Sequence, residues 1–101
     1  MSEVVILGVG MIPFGRHPQK LLVEMAAEAA RAALKDAAVE PGEVGAGFFS
    51  NGLAARLFSD HTIGQNVYWE VGINRIPIYN IENACTSAST AFCLACGQVA
   101  A

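Results

Sequence analysis

The sequence predicts an α/β fold, a β-α-β-α-β-α segment in which a mostly parallel sheet is flanked by helices. Three observations predict it. Short aliphatic or aromatic runs at residues 4–7, 44–50 and 76–81 alternate with stretches of helical periodicity at 20–39, at 62–71 and after Cys85. Glycine, proline or asparagine punctuates the joins between them. Strands separated by helices need crossover connections, which make the strands parallel and lay the helices on the sheet.

The first run, Val4-Val5-Ile6-Leu7, has the continuous apolar character of a strand covered on both faces. Gly8, Gly10, Pro13 and Gly15 end it, and the loop that follows carries Arg16 and His17, both read as solvated. Over residues 20–39, Leu21, Leu22, Met25, Ala29, Ala32, Ala33 and Leu34 recur at helical spacing, with charged residues on other faces. There the like-charged neighbours Glu24 with Glu28 and Arg31 with Lys35 are offset by Glu28 with Arg31. Pro41 and Gly42 are expected to stop this helix.

Residues 44–50 read as the second strand, centred on Phe48 and Phe49, and Asn51-Gly52 as its exit. Residues 53–58 fit either a helical turn or a loop. Residues 62–71 read as a helix with Thr62 as cap, Ile63, Val67 and Val71 along one face, and Gly72 closing it. In the third strand, residues 76–81, Pro77 must lie at the beginning or at an unpaired position.

Composition bounds the function classes. Hydrophobic residues make up 53% of the chain and charged residues 15%, against about 25% charged for an average soluble domain. A domain of 101 residues has too little interior for that much apolar surface, so either the chain sits deep inside a larger assembly or, the favoured reading, residues 1–101 are a fragment forming a single partial domain. The six basic residues are scattered and the net charge is −3, which argues against nucleic acid as a partner. Glu3, rather than a basic residue, precedes the first apolar run, so no signal peptide is expected, and no stretch reaches the ~18 apolar residues of a membrane span. Three cysteines without framework spacing suggest reduced thiols, hence a cytoplasmic or organelle-matrix setting.

Chemistry is concentrated in Asn80-Ile81-Glu82-Asn83-Ala84-Cys85-Thr86-Ser87-Ala88-Ser89. Cys85 falls where the third strand ends and a helix begins, at the carboxyl edge where parallel sheets gather ligands. Unpaired N–H groups and the positive end of a helix dipole favour a thiolate at such a place. The small residues after it would admit an acyl carbonyl and turn backbone N–H groups toward the oxyanion that forms. The bland alternative is a small buried hydrophobe, the usual fate of a free cysteine.

Cys93 and Cys96 spell C-x-x-C within a helical run, with no second pair and no nearby histidine, and read as buried packing residues rather than metal ligands. Gly8-Val9-Gly10 resembles the opening of a dinucleotide-binding fingerprint, but Pro13 stands where the third glycine belongs and a loop separates it from the helix. Asp60, His61 and Glu82 are the other titratable candidates and read as solvated loop residues.

Three stretches carry a family resemblance: residues 4–15, from Val4 to Gly15; the alanine-rich helix with the residues after it, 26–44; and Ile63-Gly64-Gln65-Asn66 through Asn83-Ala84-Cys85-Thr86-Ser87. Together they resemble the thiolases, in particular the acetyl-CoA acetyltransferase and sterol-carrier-protein-type branch. The resemblance implies a thiolase-like layered fold and an acyltransferase in which Cys85 attacks an acyl-CoA thioester, becomes acylated, and passes the acyl group to coenzyme A or to a second acyl-CoA. Coenzyme A would be substrate rather than bound cofactor, no metal is implied, and a homo-oligomer, with other subunits conceivable, is expected. The activating histidine and second cysteine would belong to a C-terminal half, so these 101 residues alone are expected to be inactive. Two positions depart from the family pattern: Ala88 stands where glycine is common, and Glu82 where asparagine is. The Ala84-Cys85-Thr86-Ser87 pattern is also similar to that of ketoacyl synthases, the runner-up reading, and a non-catalytic thiolase-like subunit is the rival from another class.

Overall fold

A computed structural model describes residues 3–101. Its helices are α1 (Leu22–Ala37), α2 (Ala54–Phe58), α3 (Ile63–Glu70) and α4 (Ser87–Ala100), and its strands are β1 (Gly47–Ser50) and β2 (Ile78–Ile81). The two strands pair in parallel, with Gly47 opposite Ile78 and Ser50 opposite Ile81. A parallel pair cannot be closed by a hairpin. Here α2 and α3 supply the crossover, and both α3 and α4 pack on the strands.

The α/β reading holds, and so do its helices to within about two residues at each end. Ile63, Val67 and Val71 are all buried, as four-residue spacing requires of one helix face, and Ala54 joins Ile63 and Val67 in the core. Leu22, Val23 and Ala26 of α1 and Phe49 of β1 pack against that cluster. Tyr68 lies flat over Gly47, where a β-carbon would stand 2.7 Å from the ring, and its burial pushes the phenol above its ordinary value. Pro77 precedes β2, and its carbonyl accepts the Gly47 N–H at 2.9 Å, so the missing donor costs the ladder nothing.

The first expected strand is corrected. Residues 4–7 join no ladder; they run alongside α1 with Val4, Val5, Ile6 and Leu7 exposed. A β-branched run becomes a strand only where a neighbour offers a free edge, and this one is held elsewhere. Gly8 and Gly10 seat the backbone directly on α1: a β-carbon on Gly8 would come within 2.6 Å of the Ala33 carbonyl oxygen, and one on Gly10 within 2.5 Å of the Ala33 nitrogen. The Val9 N–H also donates to Asp36 Oδ2 at 3.0 Å. The two glycines serve close packing on a helix flank and do not lie at a helix N-terminus, in keeping with the loop that separates them from the helix in the sequence.

The ends of α1 differ in detail from expectation. Ala38, with φ 55°, turns the chain left-handed and ends the helix before Pro41, which instead opens a short 3-10 turn at Pro41–Glu43. Glu28 pairs not with Arg31 but with Lys20 at 2.6 Å, and that ammonium holds its carboxyl below the usual value. Arg31 reaches across to α3 and donates to the Glu70 carbonyl at 2.9 Å, satisfying a helix end.

Candidate active site

The site is built where both strands end. At the end of β1, the Asn51 N–H donates to the Ile81 carbonyl at 3.3 Å, extending the ladder by one rung. Asn51 Oδ1 then accepts the N–H groups of Leu53 and Ala54 at 2.9 and 2.7 Å, opening α2. At the end of β2, the chain turns through Glu82, Asn83 and Ala84 into Cys85, and Thr86 precedes α4 at its cap position without a side-chain bond to the helix. Ala84 is left-handed, with φ 50°, a conformation that costs a residue bearing a β-carbon on the order of 1 kcal/mol.

Hydrogen bonds hold that turn on every side. The Glu82 carboxylate accepts the Ala84 N–H at 2.7 Å. Ser87, buried, accepts the Asn83 N–H at 2.7 Å and donates its hydroxyl to the Ala84 carbonyl at 2.8 Å. Thr86 Oγ1 donates to the Asn83 carbonyl at 2.7 Å, and Asn83 Nδ2 donates to Thr90 Oγ1 at 3.0 Å. From β1, Gly52 meets the same turn: a β-carbon there would stand 2.9 Å from the Ala84 carbonyl oxygen. The backbone of one strand exit thus lies against that of the other.

Cys85 is exposed, which corrects the packing alternative for this thiol. It opens on a cleft of about 470 Å³ lined by Asn51, Gly52, Leu53, Glu82, Ala84 and Cys85. The oxyanion expectation is narrowed, because the Thr86 and Ser87 N–H groups are committed to the carbonyls of Asn83 and Ala84 at 3.0 and 3.3 Å. The exposed thiol thus stands among small neighbours at the edge of an open cleft.

Of the other titratable candidates Glu82 shares the Cys85 cleft, while Asp60, His61 and His17 do not line it. Asp60 accepts the Thr62 N–H and hydroxyl at 2.8 and 2.9 Å, which hold its carboxyl below the ordinary 3.8. Asp60 and His61 line a neighbouring cavity of about 170 Å³ that also takes in Asn51 and Glu82. His17 contacts the Pro13 carbonyl at 2.9 Å in the loop before α1. Cys96 is half-buried and Cys93 exposed, which corrects the reading of Cys93 as a buried packing residue. No metal-holding group of three or more His, Cys, Asp or Glu occurs among the described residues, and no helix there is long and apolar enough to cross a membrane.

Sequence reasoning missed the residues that shape the turn. Glu82 is an exposed loop residue, as expected, and in addition holds a backbone N–H; Ser87 sits four residues after Asn83, the spacing that brings a hydroxyl back onto a helix entry. Asn80 carried no signal: its Oδ1 accepts the Gly64 N–H at 2.7 Å and its Nδ2 donates to Gln65 at 2.7 Å, capping α3 from the strand in place of Thr62.

Comparison with known proteins places this geometry. Residues 4–101 match the family described as "Thiolase, N-terminal domain". Among curated relatives, human sterol carrier protein 2 is 32% identical over 99 residues, covering 94% of this chain and 17% of that protein. Non-specific lipid-transfer protein-like 2 of Caenorhabditis elegans is 34% identical over 91 residues, covering 87% of this chain and 21% of that protein. The chain therefore spans about a fifth of the length of the relatives it matches. Among solved structures, 3-oxoacyl-[acyl-carrier-protein] synthase III from Aquifex aeolicus superposes with a TM-score of 0.71 at 20% identity, over 80% of this chain and 26% of that one. The tetronic acid condensing enzyme AbyA1 superposes with a TM-score of 0.71 at 26% identity, over 80% of this chain and 25% of that one. With the parallel pair, the crossover helices and the whole of residues 4–101 accounted for, the chain belongs to the thiolase N-terminal domain family.

Proposed function

We propose that this chain supplies the nucleophile of a thiolase-type acyltransferase acting on acyl-CoA thioesters, and that Cys85 is that nucleophile. The observation that carries the reading is the exposed Cys85 thiol at the junction of β2 and α4, opening on a cleft within a thiolase-family chain. In the proposed step the Cys85 sulfur attacks the thioester carbonyl and the tetrahedral intermediate expels the coenzyme A thiolate. A new carbon–sulfur bond to Cys85 replaces the one to coenzyme A. The proton lost by the Cys85 thiol goes to a base supplied from outside the described residues. In condensation the acyl group then passes to the carbanion of a second acyl-CoA. In the reverse direction Cys85 attacks the 3-oxo carbon of a 3-oxoacyl-CoA, and the carbon–carbon bond breaks with its electron pair leaving on the shorter acyl-CoA carbanion, which takes up a proton. Free coenzyme A then takes the acyl group from Cys85. Sterol carrier and lipid-transfer relatives support a lipid-derived acyl group.

The test uses the protein as its gene encodes it. After exposure to acetyl-CoA, intact mass is expected to rise by one acetyl group, and peptide mapping is expected to place it on Cys85. A Cys85→Ala variant that keeps full activity, or an adduct on Cys93 or Cys96, would sink the assignment. Residues 1–101 alone are proposed to be a partial domain without turnover, in a protein that forms homo-oligomers in the cytoplasm or an organelle matrix.

A second reading has its own support. Both structural neighbours are named for condensing chemistry, which favours a ketoacyl-synthase-type condensing enzyme with the same nucleophile. Incubation of 3-oxoacyl-CoA with free coenzyme A separates the two, since thiolytic cleavage to two shorter acyl-CoAs is expected of the thiolase reading alone. Absence of any Cys85 acylation under both conditions would favour a non-catalytic subunit.

A further inference from the structure

We infer that Glu82 and Gly52 are positioning residues that hold the peptide preceding the Cys85 thiol in its left-handed turn, Glu82 from the N–H side and Gly52 from the carbonyl side. The role deepens the acyltransferase reading and rests on it for its catalytic consequence. The geometric part stands on the turn itself.

Ala84 has φ 50°, and nothing in its side chain favours that conformation, so the surroundings must impose it. Two contacts do so from outside the helix entry. The Glu82 carboxylate accepts the Ala84 N–H at 2.7 Å, a charge-assisted bond closing a short loop of backbone two residues long. On the opposite side of the same residue, the Ala84 carbonyl oxygen approaches Gly52 so closely that a β-carbon would lie 2.9 Å away, tighter than unrelaxed side-chain carbons sit. Gly52 has no left-handed φ that would itself call for glycine, so close approach is the reason the position is bare. Both residues line the cleft on which Cys85 opens, and Cys85 follows Ala84 directly. Any rotation about Ala84 therefore swings the sulfur relative to the cleft walls, and a misplacement of about 1 Å at a reacting atom is enough to cost about a hundredfold in rate.

Two readouts test this in the protein as its gene encodes it. Glu82→Ala is expected to raise the hydrogen-exchange rate of the Ala84 amide about tenfold. The same variant is expected to slow single-turnover acylation of Cys85 by acetyl-CoA about tenfold or more, with the half-saturating acetyl-CoA concentration unchanged. Glu82→Gln, which keeps an acceptor oxygen at the same reach, is expected to restore protection of the Ala84 amide and the acylation rate to within about twofold of the parent. Gly52→Ala is expected to slow acylation similarly while leaving Glu82 in place. An Ala84 amide that exchanges in Glu82→Ala as slowly as in the parent overturns the inference. So does a Glu82→Gln variant that behaves like Glu82→Ala in both readouts. If the parent itself is never acylated, the acyltransferase reading falls, while the exchange of the Ala84 amide still decides the hold of Glu82 on the turn.

Discussion

Ser87 shows how a single hydroxyl can shape a site without touching substrate. It donates to the Ala84 carbonyl and accepts from the Asn83 N–H, so it closes both ends of the turn before Cys85, and it is buried while doing so. Removing it leaves the part-buried Asn83 N–H without its partner and the Ala84 carbonyl with only the longer bond from the Ser87 N–H at 3.3 Å. Ser87→Ala is expected to destabilise the fold by about 1–3 kcal/mol, measured as a fall in the denaturant midpoint with an unchanged slope. Residue-scale chemistry was only partly legible in the sequence. Cys85 stood out because its place depends on local order alone, a strand followed by a helix. Glu82 and Asn80 did not, because their roles lie in contacts that a linear string does not display: a backbone N–H that rotates to meet one, and a helix end sixteen residues away that meets the other.

At the scale of elements, periodic burial was readable and pairing was not. The face of α3 follows from spacing, with Ile63, Val67 and Val71 buried as that spacing requires, whereas α1 buries Ala27, outside the expected face, and leaves Ala32 and the cap residue Leu21 exposed. Residues 4–7 have strand-like composition, yet among the described residues the ladder contains only β1 and β2. What decides the matter is Gly8 and Gly10, whose bare backbones dock on the Ala29-to-Ala37 flank of α1. Gly10→Ala is expected to push this segment off α1 at a cost of about 1–3 kcal/mol, because the new methyl meets backbone that cannot yield. Loss of exchange protection at the Val9 amide, which now donates to Asp36, would report the displacement; unchanged protection would count against the docking role. Charge pairing was misread for a related reason. Lys20 lies before α1 begins, and the loop brings it back over Glu28, outside the three- and four-residue spacings that helix reasoning considers.

At the scale of the molecule, the apolar surplus has a visible address. Val5, Ile6 and Leu7 lie exposed beside α1, and Phe92, Leu94 and Val99 lie exposed along α4. Exposed large apolar side chains in such number favour association in water. Residues 1–101 expressed alone are expected to self-associate and to bind a hydrophobic dye, read by light scattering and dye fluorescence. A monomer with a sharp, reversible unfolding transition would contradict the partial-domain proposal. The composition foretold this surplus, though not which helix would carry it, because exposure depends on what else packs and not on the run of residues.

The meeting of Gly52 with Ala84 has one more consequence, and it concerns time. These residues stand thirty-two positions apart, and they meet only when β1 and β2 are paired with Gly47 opposite Ile78. Parallel pairing closes a long loop before any contact repays the lost entropy, so it comes late in folding. A slip of one residue would also turn every strand side chain to the opposite face. The thiol is therefore expected to reach its final setting only once the strands have paired in register, and its acquisition of native reactivity during refolding would serve as a clock for strand pairing.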